Sequence, residues 1–171
     1  MLTAVILAGG RGERLRPLTD ALPKPMIKIK GKPFLQYQLE LLRKHKILDV
    51  LLCVGFLHDK IVDYFGDGSA LGLKIEYVVE EIFLGTGGAL KNAQEYLSQD
   101  FFLLYGDSYL PIDYEQMAQA WYSCNVSGLV ACYDNQLRID RNNIVLDSQG
   151  MISSYNKLKP DPMATYVGPG R

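Results

Sequence analysis

The chain has 171 residues, 48% of them hydrophobic and 22% charged, with a formal net charge of -1. That length suits one ordinary domain with a real core, and the composition excludes long disorder, a polyacidic tail and a general nucleic-acid-binding surface. No run approaches the roughly 18 apolar residues that a membrane span needs, and the opening MLTAVILAGG lacks a basic leader, so the sequence predicts a protein neither exported nor inserted.

The first element is TAVILA, residues 3–8, a short β-branched run that reads as a buried strand. A glycine-rich and basic stretch follows. Pro33, a favoured first helical residue, opens a helix with Leu35, Leu39 and Leu42 on one face and Gln36, Glu40 and Arg43 elsewhere. DVLLCVG (49–55) is the next strand, and a helix is expected over residues 57–65. LKIEYVV (73–79) and DFFLLYG (100–106) are further strands, separated by a helix over residues 86–97. A helix over residues 114–122 leads into VSGLVACY (126–133), also expected to be a strand. The pattern then changes to NNIVLD and MISSYN around the turn Ser148-Gln149-Gly150, an antiparallel hairpin expected at one edge. Strands joined by crossover helices require a mostly parallel sheet covered on both faces, the doubly wound, Rossmann-like α/β class. Cys53, Cys124 and Cys132 are odd in number and lack CxxC spacing, so they read as reduced and structural, in keeping with a cytoplasmic location.

Charge is uneven along this chain. Residues 1–32 hold seven Lys or Arg (Arg11, Arg14, Arg16, Lys24, Lys28, Lys30 and Lys32) against two acids, Glu13 and Asp20. The glycines at 9, 10 and 12 follow a strand, where an open α/β sheet gathers its ligands, and their backbone N–H groups can turn toward an anion. A plain glycine turn beside a solvated basic face is the competing reading. Two familiar phosphate loops fail: GxxxxGK[ST] does not occur, and Gly10-x-Gly12 is followed by Leu15 where the dinucleotide fingerprint requires a third glycine. An NAD-dependent oxidoreductase is therefore disfavoured.

LAGGRGERLRPLT (7–19), followed by PKPM (23–26), closely resembles the signature of the sugar-1-phosphate nucleotidyltransferases, L-A-G-G-x-G-x-R-L-x-P-L-T before P-K-P. The resemblance implies a GT-A-like nucleotidyltransferase fold in which Leu7, Ala8, Gly9, Gly10, Arg11 and Gly12 wrap the nucleotide, Arg14 grips the leaving pyrophosphate and Lys24 holds the reacting phosphates. EEIFLGTGGAL (80–90) is similar to the family's base-contacting segment, which brings in Gly85, Thr86 and Gly87, with Glu80 reading the base. A carboxylate can accept from both N1–H and the exocyclic amine of guanine, whereas uracil offers one ring donor, so Glu80 favours GTP. LLYGD (103–107) resembles the family's L-x-G-D, implying that Gly106 borders the nucleotide and Asp107 is the Mg²⁺ ligand, since that ion commonly takes one or two protein carboxylates plus phosphate oxygens. Lys157 stands where the family binds the sugar phosphate, although Asn156 and the displaced Pro160 depart from its usual Glu-Lys-Pro.

The expected reaction transfers a nucleoside monophosphate from a nucleoside triphosphate to a sugar 1-phosphate, with guanylyltransferases acting on mannose- or heptose-type sugars as the nearest subfamily. The chain is expected to be one nucleotidyltransferase domain, residues 1–171, without the family's C-terminal part. The apolar surface so exposed would favour self-association into a homo-oligomer. The rival from another class is a nucleotide-binding module that does not turn over.

Overall fold

The computed structural model describes residues 2–97, 100–135, 141–156 and 158–168. The chain divides into two compact units, residues 1–115 and 116–171.

The first unit is organised by strand β1 (Thr3–Ala8), which lies between β4 (Asp49–Val54) and β6 (Phe101–Tyr105), with β5 (Lys74–Val79) beyond β4. All three pairings are parallel. Two short strands, β2 (Lys28–Ile29) and β3 (Lys32–Pro33), form a separate ribbon before the first helix.

Successive side chains of a strand point to opposite faces, and β1 shows this directly. Ala4, Ile6 and Ala8 join one apolar cluster with Leu35, Leu39 and Leu42 of helix α1 (Phe34–Lys44) and Ile61 and Phe65 of α2 (His58–Phe65). Val5 joins the other, with Leu51, Cys53, Val78 and Ala93; Leu90 of α3 (Gly85–Asn92) packs against it. The sheet is covered on both faces, as the doubly wound class requires. Each fully buried leucine in these layers contributes roughly 1.5–3 kcal/mol relative to exposure.

Helix α1 stops for a definable reason. Lys46 adopts φ 61°, and its N–H bonds to Arg43 O while Ile47 N–H bonds to Leu42 O, the paired closure of a Schellman motif with lysine where glycine is usual. Pro33 lies just outside the helix as its cap, in extended geometry.

Three elements differ from the sequence expectation. The helix expected over 86–97 begins at Gly85, ends at Asn92 and continues as a 3-10 turn over Gln94–Tyr96. Leu90, Ala93 and Leu97 still reach one apolar cluster, so spacing alone could not separate the two helix types. Within 126–133 only Tyr133 becomes strand, in β7 (Tyr133–Asp134). Gly128 interrupts the run and Leu129 and Val130 stay exposed, so its β-branched composition lacks the ladder that would make it a strand.

The hairpin forms, as β8 (Ile144–Leu146) and β9 (Ile152–Tyr155), with Gly150 at φ 79° in the turn. It belongs to a second sheet, ordered β7-β10-β8-β9 with β10 at Tyr166–Val167, and not to the edge of the parallel sheet. Helix α4 (Tyr114–Ser123) precedes it in the chain. Among the described residues no helix is long and apolar enough to cross a membrane.

Candidate functional site

Parallel strands send all their carboxyl ends to one edge. Ala8 pairs with Val54, Val54 with Val79, and Leu7 with Tyr105, so four loops leave the sheet side by side: Gly9 onward, Gly55-Phe56, Glu80 onward, and Gly106-Asp107. Their mutual contacts explain several small residues. A Cβ on Gly55 would come to 3.0 Å from Gly9 O, and one on Gly106 to 3.0 Å from Leu7 O, both backbone atoms that cannot yield. Gly106 N–H donates to Leu7 O at 2.8 Å.

Glu80 is only 8% exposed and stands against Gly9, where an added Cβ would lie 3.0 Å from Oε1. Its Oε2 accepts from Leu84 N–H at 3.3 Å. Burial raises its carboxyl pKa, and the bond from Leu84 opposes the shift. Burial, with the Glu80 charge adding to it, pushes the Cys53 thiol up to about 11. Gly9, Arg11, Phe56, His58 and Glu80 line an open cavity of about 400 Å³, and the Arg11 guanidinium carbon sits 5.8 Å from the Phe56 ring centre. A flat polar ring with hydrogen-bond donors on its edge suits these walls.

The basic arm of the loop is shaped by Gly12, at φ 63°, from which a 3-10 turn over Glu13–Leu15 carries Arg14 on the surface. Thr19, almost wholly buried, donates to Gly12 O at 3.0 Å and ties the arm back. Lys24 opens a second 3-10 turn, and its Nζ lies 2.5 Å from Asp107 Oδ2. The other carboxylate oxygen of Asp107 accepts from Ser108 Oγ at 3.4 Å. Gly85, at φ 69°, starts α3, Thr86 Oγ1 is 3.5 Å from the Tyr105 hydroxyl, and space beside Gly87 and Gly10 is open.

The structure thus gathers Gly9, Arg11 and Glu80 at one cavity and Lys24 with Asp107 at one ion pair. Lys157 lies outside the described residues. Phe56 and His58 line the cavity although the sequence did not assign them there; Gly55 at the end of β4 was the available signal.

Among the described residues no group of three or more His, Cys, Asp or Glu could hold a metal. A lone, partly exposed carboxylate fits an oxygen-seeking dication that completes its shell with phosphate and water, and does not fit a structural zinc.

A cavity of about 400 Å³ and a cation–carboxylate pair stand at the carboxyl edge of a doubly wound sheet, where such sheets gather their ligands. The chain belongs to the nucleotidyl transferase family, which it matches over residues 3–141, and within it to the sugar-1-phosphate nucleotidyltransferases. It is 34% identical over 157 residues to D-glycero-alpha-D-manno-heptose 1-phosphate guanylyltransferase of Campylobacter jejuni, covering 91% of this chain and 68% of that protein. With mannose-1-phosphate guanylyltransferase of Mycobacterium tuberculosis it shares 45% identity over 107 residues, 63% of this chain and 30% of that one. The crystal structure of HddC from Yersinia pseudotuberculosis complexed with GMP-PN superposes with a TM-score of 0.80 at 29% identity, covering 98% of this chain and 73% of that chain. Nucleotidyltransferases of this family generally use a divalent metal ion.

Proposed function

We propose that the protein transfers a guanylyl group from GTP to a mannose- or heptose-type sugar 1-phosphate. A phosphate oxygen of the sugar phosphate attacks the α-phosphorus, the bond between the α- and β-phosphates breaks, and pyrophosphate leaves with the bonding electron pair. Neither reactant requires a covalent link to the protein, so positioning and charge neutralisation supply the catalysis.

The observation that carries this reading is the meeting of Lys24 and Asp107 at 2.5 Å beside the glycine loop. These residues come from distant parts of the chain, and no helix or turn requires their pairing. Lys24 is a mobile point charge able to turn from Asp107 to phosphate oxygens. Arg14, on the same arm, is assigned to the leaving pyrophosphate, and the amides of Gly9, Gly10 and Gly12 to the phosphates. Mg²⁺ on Asp107 would neutralise charge on the phosphate oxygens. Glu80 accepts from the guanine edge, with Phe56 and Arg11 beside the ring and Gly85, Thr86 and Gly87 closing the far side. Lys157 is assigned to the sugar phosphate on the family resemblance alone.

The test is pyrophosphate release with Mg²⁺ across the four common nucleoside triphosphates and a panel of sugar 1-phosphates. GTP with one sugar phosphate should turn over, and Asp107→Ala and Arg14→Ala should each lower the rate by about 100-fold or more. Nucleotide binding without turnover would instead identify a non-catalytic module, and undiminished turnover in both variants would refute the assigned roles.

A further inference from the structure

Helix α1 buries Leu35, Gln38, Leu39 and Leu42 on one face, and the second of these is the exception. Gln38 is 2% exposed, in a position where leucine would suit the stripe. Its amide nitrogen donates to Tyr105 O at 2.8 Å and also to Ser108 O. Both partners are carbonyls and can only accept, which fixes the amide with its NH₂ group toward them. Oε1 is consequently left with no hydrogen-bond partner among the described residues. A buried polar side chain held with one end unsatisfied calls for a reason beyond packing.

The two carbonyls bracket Gly106 and Asp107. Gly106 is itself fixed to β1 through Leu7 O, with no room for a side chain. The backbone carrying Asp107 is therefore clamped between α1 and β1, while the carboxylate itself remains partly exposed toward Lys24.

We propose that Gln38 is a positioning residue that sets the direction of the Asp107 carboxylate by holding the carbonyls on either side of it. This rests on the assignment of Asp107 as metal ligand under the proposed function. Groups that orient a ligand from behind typically change metal affinity or activity by about 10- to 100-fold when removed.

The experiment measures Mn²⁺ binding by electron paramagnetic resonance in the presence of a non-hydrolysable GTP analogue, together with kcat and KM, for the wild type, Gln38→Met, Gln36→Met and Asp107→Ala. Gln38→Met keeps the length of the side chain and removes both donors; Gln36→Met is the control on the solvent side of the same helix, where Gln36 bonds to Glu40. The expected result is a Mn²⁺ dissociation constant raised by about 10-fold or more in Gln38→Met and a lower kcat, with KM for GTP nearly unchanged and Gln36→Met like the wild type. Should Gln38→Met not fold, Gln38→Asn keeps the amide but falls one carbon short of the two carbonyls, and should show the same direction of change. A lowered melting temperature with wild-type Mn²⁺ affinity and kcat per folded molecule would overturn the proposal and leave Asp107 as the ligand. Wild-type Mn²⁺ binding that survives Asp107→Ala would overturn the assignment of Asp107, and with it the role given to Gln38.

Discussion

Gly10 and Gly12 look equivalent in the sequence, but the structure separates them. Gly12 sits at φ 63°, where alanine costs roughly 1–2 kcal/mol, and its added Cβ would lie 3.0 Å from both Thr19 Cγ2 and Lys24 Cβ. Thr19 is buried and cannot give way, so the arm must move. Gly12 O would then lose the bonds from Leu15 N–H, at 2.9 Å, and Thr19 Oγ1, at 3.0 Å. The combined cost to the bound loop geometry is about 1–3 kcal/mol, which lowers nucleotide affinity by roughly 5- to 150-fold. Gly10→Ala meets nothing within 4 Å and needs no left-handed backbone, so the fold should be unaffected. A methyl group there still occupies space assigned to phosphate, so binding should fall without any fall in melting temperature. Calorimetric titration of each variant with GTP and Mg²⁺, beside thermal melts, separates the two cases. Wild-type affinity and melting temperature in Gly12→Ala would refute the claim that its left-handed turn holds the basic arm in place.

Two further outcomes follow from burial. Because the pKa of Glu80 is raised in the folded state, the native chain holds its proton more tightly than the unfolded one, and stability contributed by this group falls as pH rises from the unfolded value through the folded value. Glu80→Gln should flatten that part of the pH–stability curve in denaturant titrations while reducing the preference for GTP over UTP by about 10-fold or more, through the loss of charge-assisted acceptance. An unchanged preference would remove Glu80 from base reading. Among the cysteines, Cys124 is exposed and should react promptly with a thiol reagent at neutral pH, whereas Cys53, buried and shifted to about 11, should react only on unfolding. Equal rates for both would contradict the packing of β4.

The sheet was legible because its strands are short runs rich in apolar residues and its helices carry clear stripes. TAVILA, DVLLCV and KIEYVV fall where expected, and Leu35, Leu39 and Leu42 face the core. The glycine loop was legible as a motif because close backbone approach restricts the residue type sharply, and Asp107 falls just past the end of β6 beside Gly106, where its motif required it. What remained hidden depends on partners distant in sequence. Nothing in VSGLVACY discloses that it lacks a ladder over most of its length, and nothing in FLQYQLELL distinguishes Gln38 from the solvent-side Gln36 except its step along the helix. Phe56 belongs to the cavity only because β4 ends level with β1 and β5, a consequence of register.

The ion pair of Lys24 with Asp107 joins residues 83 apart in the chain. Thr3 pairs with Phe101, so β1 gains its second neighbour only after β4, β5 and the intervening helices have been made. Loop-closure entropy disfavours such late pairings until the earlier layers are in place. During synthesis the glycine loop therefore emerges long before the strand that supplies its acidic counterpart. With the roles proposed for Lys24 and Asp107, capture of nucleotide together with metal would report the docking of β6 and stay silent in any partly folded form that lacks it.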